Sequence, residues 1–297
     1  MKIKLINKKY VSVIVVFLLT FSLIAYFGIF ASGESKKSEF NDLNSKVESI
    51  IKEKKDNIAV FIGTADGEIA INEDKVFSSA STIKVPILME TLRQGNHGTL
   101  NLDEKVTVTS DDITTGGGIV RQMSDNLELS IRDLAFLMII LSDNTTTNMV
   151  IDRVGMNSVN KLCDEIGCQN TKLQRKMMEN VNLGDNLTTA EDMGTILKEA
   201  YEGDLLNEEA KQEFLRIMGE QKLGTLSTYR DGTEHKGVKV YSKGGSLGST
   251  GVRHDVGIIT NGDKAVYVAV LTEHLSVKEA RLAISQIGES VMDYLVE

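Results

Sequence analysis

The apolar residues of this chain change period along its length, and that change limits what it can fold into. Over 57–64 and 67–72, β-branched and aromatic residues flank a turn at Ala65-Asp66-Gly67, which reads as a hairpin. The spacing then becomes helical. Helices are expected from Ser81 to about Gln94 and over 130–142, 145–154, 157–166, 188–201 and 207–218. After Gly232 the period returns to two. Strands are expected over 238–242, 251–260 and 264–272, with Asn261-Gly262 as a tight hairpin turn. A helix over 40–56 precedes all of this, with Leu43, Val47, Ile50 and Ile51 on one stripe. Another over 276–296 closes it, with Leu282, Ile284, Ile287, Val291 and Leu295 as its apolar side. Five strands at the two ends of the chain imply one antiparallel sheet flanked by the terminal helices. The all-helical middle forms a second lobe. The expectation is an α/β two-lobe fold, with a sheet lobe from about 40–80 and 232–297 and a helical lobe from about 81–231. A cleft between lobes is a usual place for a site.

Within the middle, Pro86 removes one helix hydrogen bond and is expected to bend the helix that carries it. The stretch 95–122 reads as loop-rich, and Thr114-Thr115-Gly116-Gly117-Gly118 as its most mobile part, beside a cleft. No Lys-Ser/Thr pair follows those glycines, so they do not read as a phosphate loop.

The N-terminus reads as a segment of its own. Lys2, Lys4, Lys8 and Lys9 precede an almost unbroken apolar run over 10–31. That is about the ~20 residues a bilayer span needs. The basic flank keeps the N-terminal end cytoplasmic, so the domain over 34–297 would lie outside. Cleavage near Ala31-Ser32-Gly33 and retention as an anchor both stay open, with retention the reading taken here. Localisation is then the outer face of the cell membrane, or secreted if 1–33 is removed. The net charge of −9 argues against nucleic acid as a partner. A monomer is expected, with no cofactor. His97, His235, His254 and His274 show no metal-ligand spacing, and no metal is expected.

Chemistry enters at Ser81-Thr82-Ile83-Lys84. Residues three apart share a helix face, which would bring the Lys84 amine close to the Ser81 hydroxyl. A serine hydroxyl needs a base to become a nucleophile, and a lysine in a dry pocket loses its proton readily enough to be one. Ser78, Ser79 and Ser81 all suit a helix start with their hydroxyls as caps. Ser142-Asp143-Asn144 follows at a helix joint, and Lys243-Gly244-Gly245 at the end of a strand.

These three motifs, in this order, resemble the set S-x-x-K, S-D-N and K-T-G of the class A β-lactamases and the related penicillin-binding serine peptidases. The resemblance spans roughly 40–297 and includes Ile131-Arg132-Asp133-Leu134 and the run from Leu141 to Asn148. It implies a serine hydrolase that opens a β-lactam amide through an ester on Ser81. A D-alanyl-D-alanine carboxypeptidase and a slowly deacylating β-lactam binder are the alternatives. It makes Lys84 the proton partner and Ser142 the relay to the departing nitrogen. Asn144 meets the substrate amide, and Lys243 meets its carboxylate. The backbone N–H groups of Ser81 and Ser246, beside Gly245, form the oxyanion hole.

Two departures stand out. Gly244 lacks the hydroxyl usual at the middle of the third motif, so Ser246 or Arg253 is expected to take the carboxylate. The family's deacylating Glu aligns with Met177, in a loop a few residues shorter whose structural arginine is Arg175. Glu179 is the nearest carboxylate and the candidate replacement base. Cys163 and Cys168 read either as a disulfide or as two buried thiols.

Overall fold

The structure, a computed structural model, describes residues 37–124, 126–179, 182, 184–227, 235–248 and 250–296. The N-terminal segment over 1–33 lies outside the described residues. Among the described residues no helix is long and apolar enough to cross a membrane.

Helix α1 (37–51) leads through a 3₁₀ turn into β1 (Ile58–Thr64), which pairs with β2 (Gly67–Ile71). The remaining strands of that sheet come from the far end of the chain: β7 (Val238–Leu247), β8 (Val252–Asn261) and β9 (Lys264–Thr272). The five strands run antiparallel in the order β2-β1-β9-β8-β7. Both faces of this sheet are covered, which explains why β1 and β9 read as nearly continuous apolar runs. Ile58, Val60 and Ile62 meet one core with α1 and the closing helix α8 (Val277–Val296). Ala59 and Phe61 meet the other core, shared with the helical lobe. Leu282 lies outside the apolar face of α8 and is exposed, while Ala280 and Ala283 are buried there instead.

The helical lobe surrounds α2 (Lys84–Asn96), every residue of which from Lys84 to Leu92 is buried. Around it lie α3 (Ile131–Ile140), α4 (Asn144–Val154), α5 (Met156–Glu165), α6 (Ala190–Glu202) and α7 (Glu208–Gly219). Local chemistry sets several of the starts. Ser130 and Asp133 form a capping box on α3. Asp143, Thr189 and Asn207 cap α4, α6 and α7 with side-chain oxygens. Each such cap stabilises its helix by about 1 kcal/mol.

The middle is not wholly helical. Strand β4 (Lys105–Val108) pairs with β5 (Leu127–Ser130), and β3 (Phe77–Ser78) pairs with β6 (Leu187–Thr188). The Ser81 segment also differs from expectation. Ser81 sits in a 3₁₀ turn, Ala80–Ile83, and α2 begins only at Lys84. Neither start is capped by a side chain. Pro86 therefore falls in the first turn of α2 rather than its interior, where the missing donor costs nothing. Strand β7 runs on to Leu247, so Lys243-Gly244-Gly245 lies within the strand and not at its end. Cys163 and Cys168 are free, buried thiols.

Candidate active site

Three elements converge on a cleft of about 770 Å³ between the lobes: the turn holding Ser81, the joint between α3 and α4, and strand β7. The backbone is strained at two of these places. Ala80, just before Ser81, and Ser142 have φ of 46° and 52°. Side chains with a Cβ avoid that region at a cost of about 1–2 kcal/mol, and such strain gathers at functional sites.

Lys84 Nζ is fully buried and bonds to Ser142 O (2.8 Å), Asn144 Oδ1 (2.9 Å) and Ser142 Oγ (3.1 Å). Ser81 Oγ is not among its partners in the described residues, so the amine leans toward the α3–α4 joint rather than along its own helix face. Burial and the charge of Lys243 hold the Lys84 amine well below its ordinary pKa, against the pull of Asp143. The amine donates to all three oxygens; on losing a proton it would keep two hydrogens for the two carbonyl oxygens and turn its lone pair to a hydroxyl. Lys243 Nζ reaches the same Ser142 Oγ at 3.1 Å and also donates to Gly244 O. Burial brings Lys243 down to about 7, against the pull of Asp255. Ser142 thus bridges two lysines of lowered basicity.

Asp143 holds the joint in place. One carboxylate oxygen caps α4 at Thr146 N, and the other accepts from Ile119 N (2.7 Å) and Val120 N (2.9 Å). The loop expected to be mobile is thereby fastened: Gly117 O accepts from Asn144 N, and Thr115 O from Asn144 Nδ2. Asn144 keeps one Nδ2 hydrogen for a ligand, and it lines the cleft.

The third motif explains itself through packing. A Cβ on Gly245 would stand 3.0 Å from Ser81 N and 3.1 Å from Thr82 N, so a larger residue would push β7 a few tenths of an ångström off the Ser81 turn. A Cβ on Gly244 would stand 3.2 Å from Leu223 O. The loop after α7 takes the space a hydroxyl-bearing residue needs. Ser246 and Arg253, cross-strand partners on β7 and β8, both line the cleft. His254 also reaches this region, and nothing in its spacing signalled that. Its Nε2 donates to Ser78 O (2.8 Å) and its Nδ1 accepts from Thr272 N (3.0 Å), which ties the sheet to the segment entering the Ser81 turn. Burial pushes its pKa down to about 4, so the ring stays neutral.

The opposite wall is made by described residues over 175–179 and 184–186. Arg175 bonds Asp185 Oδ1 (2.8 Å) and Gly184 O (3.1 Å), as expected of a structural arginine. Asn148 brackets the Met177 backbone, accepting from its N–H at 2.7 Å and donating to its carbonyl at 3.1 Å. Met177 is buried and lines both the cleft and a neighbouring hollow. Glu179 does not line the cleft. It is exposed, accepts from Lys176 N at 3.1 Å, and lines that neighbouring hollow with Asp111, Asp152 and Lys176. The expected replacement base therefore faces away from Ser81, with Met177 and Met178 between the two hollows. Among the described residues the cleft's only carboxylate is Asp185, already engaged by Arg175, Ser78 Oγ and Asn186 N. No group of three or more metal-ligating side chains occurs among the described residues.

Comparison with known proteins agrees with this geometry. A model of the beta-lactamase enzyme family matches residues 42–295. Beta-lactamase VEB-1 of Pseudomonas aeruginosa is 25% identical over 92% of this chain and 96% of its own. A beta-lactamase structure from Sphaerobacter thermophilus is 29% identical, with a TM-score of 0.77, over 85% of this chain and 95% of that one. A mutant of PBP-A, solved as an acyl-enzyme complex with penicillin G, is 24% identical with a TM-score of 0.74. The match covers 85% of this chain and 96% of that one, and that likeness bears on fold alone. The matched span contains the Ser81 turn, the α3–α4 joint, β7 and Arg175, and this chain belongs to the beta-lactamase enzyme family.

Proposed function

We propose that this chain attacks the amide of a β-lactam with Ser81, forms an acyl ester there, and releases that ester slowly. The observation that carries this reading is the contrast within one cleft. Ser142 Oγ stands 3.1 Å from both Lys84 Nζ and Lys243 Nζ, whereas Met177, which the family resemblance aligns with the deacylating carboxylate, brings a thioether to the cleft.

In acylation the Ser81 oxygen adds to the amide carbonyl and its proton goes to the neutral Lys84 amine. The oxyanion is received by the backbone N–H groups of Ser81 and Ser246, each such donor lowering the barrier by about 3 kcal/mol. Ser142 gives its proton to the departing nitrogen as the C–N bond breaks, and Lys84 returns a proton to Ser142. Lys243, charged below about pH 7, meets the substrate carboxylate with Ser246 and Arg253. Deacylation needs a water and a base. Asp185 is held by Arg175 and Ser78, so the attacking water goes without a free carboxylate.

Relatives named beta-lactamase support the choice of substrate. The Met177 observation also favours a second reading, in which slow release makes the chain a D-alanyl-D-alanine carboxypeptidase or a β-lactam-binding protein. The run over 10–31 supports a tether that places the domain on the outer face of the cell membrane. The test is to mix the protein with a chromogenic cephalosporin and follow colour and intact mass together. The expected result is an adduct on Ser81 that outlasts the initial colour change. Fast sustained colour with no adduct contradicts slow release, and neither colour nor adduct contradicts acylation. Release of D-alanine from a D-Ala-D-Ala peptide separates the peptidase from the binder.

A further inference from the structure

One end of the cleft carries more positive charge than a single carboxylate needs. Arg253 stands on β8 across from Ser246, on the pleat face opposite Lys243 and toward α8. Arg281 projects from the first half of α8 and lines the same cleft. Arg93, Arg132, Arg175 and Arg216 each sit against carboxylates. Arg253 and Arg281 have no side-chain hydrogen bond or ion pair among the described residues. Burial, together with the nearby Arg281 charge, lowers the Arg253 pKa. Two arginines that line one cleft with no ion pair of their own among the described residues repel each other, and an anion placed between them removes that cost. The chain as a whole carries −9, so this is a local concentration of positive charge in an acidic protein, the arrangement that draws anions into a cleft.

The charge is also in surplus. Lys243 Nζ is engaged by Ser142 and Gly244 O. A substrate's one carboxylate, lying against Ser246, neutralises one guanidinium. We infer that Arg281, paired with Arg253, is the seat for a second anionic group on the substrate, so that the cleft prefers dianionic ligands to monoanionic ones. The inference rests on the proposed reading of the cleft as a β-lactam site. Arg281 is exposed on its helix, so replacing it leaves the packing of α8 intact.

The test uses the full chain carrying Ser81→Ala, so that binding is read without acylation. The probes are a cephem bearing a carboxymethyl group at the ring position next to its own carboxylate, and the methyl ester of that group. Calorimetric titration at about 0.15 M salt is expected to give five- to tenfold tighter binding of the dicarboxylate, a size in keeping with one added, partly screened charge pair. Adding Arg281→Gln brings the ratio to within about twofold. Adding Arg153→Gln, the same charge change on exposed α4 surface, keeps the ratio. A ratio near one with Arg281 present, a ratio that survives Arg281→Gln, or binding of neither probe overturns the inference. Ser81 chemistry does not enter this titration, so the absence of an adduct in the unsubstituted protein sinks the acylation reading separately.

Discussion

The two walls of the cleft are built for different things. On the wall made by the Ser81 turn, the α3–α4 joint and β7, polar side chains are bonded across elements: Lys84 to Ser142 and Asn144, Lys243 to Ser142, Asp143 to the loop at Ile119. On the wall made by the described residues over 175–179 and 184–186, polar side chains hold the segment to itself, to α4 and, through Asp185, to Ser78. Arg175 meets Asp185, Asn186 receives Gln174 N and Arg175 N, and Asn148 brackets Met177. Beside Arg175, Asp185 and Asn186, which bond one another, this wall gives the cleft the thioethers Met177 and Met178. On the proposed reading the first wall makes the ester, and among the described residues the second offers no free carboxylate to break it. That reading assigns acylation and release to different segments of one fold.

The largest expected effect breaks the first wall. Ser81→Ala abolishes the covalent adduct, a loss of at least about 10⁴-fold in acylation, read by intact mass. Lys84→Met keeps the side-chain length and removes the base. It leaves Asn144 Oδ1 without its donor and slows acylation by about 10³-fold. An acylation rate within a few-fold of the parent would remove Lys84 from the mechanism.

The next effect sharpens the contrast by repairing the second wall. Met177→Glu is expected to shorten the ester lifetime by about 10²-fold or more while acylation changes little, because a general base typically contributes that much. The site is only 8% exposed, so the new carboxylate also costs about 1–3 kcal/mol of stability, visible as a lower Tm. An unchanged lifetime would mean that the loop, and not its missing carboxylate, sets release.

A smaller effect comes from pH. The Lys243 amine, lowered to about 7 by burial, loses its charge as pH rises through that value. Acylation efficiency at low substrate should fall above about pH 7, by at most tenfold per unit, and Lys243→Met should flatten that limb. The smallest expected effect is at Gly245. Gly245→Ala pushes β7 a few tenths of an ångström off Ser81 N and lowers acylation about tenfold, with the fold retained.

Much of this was legible in the sequence, for physical reasons that also explain where legibility ended. Strands β1, β8 and β9 and helices α3 to α8 announce themselves through period, because each has a face or faces committed to a core. The two-residue strands β3 and β6 carry no period at all. Glycines made Lys243-Gly244-Gly245 look like a strand end, yet β7 continues because β8 pairs with it residue by residue through Leu247. The motif serines and lysines were found because their spacing is itself the chemistry. The direction of Glu179 was not, since a short loop's side-chain orientation follows from what fastens the loop, here Asn148 and Arg175. Arg281 gave no signal either: on an amphipathic helix it is one exposed charge among several, and only the fold brings it to the cleft.

A fast first step and a slow second one at Ser81 underlie everything proposed for this cleft. Stopped-flow mixing of excess chromogenic cephalosporin with the protein tests this most directly. The expected trace is a burst of one product equivalent per active site, followed by a linear phase at least about 100-fold slower. A linear trace from the first milliseconds, at a rate equal to acylation, would contradict it.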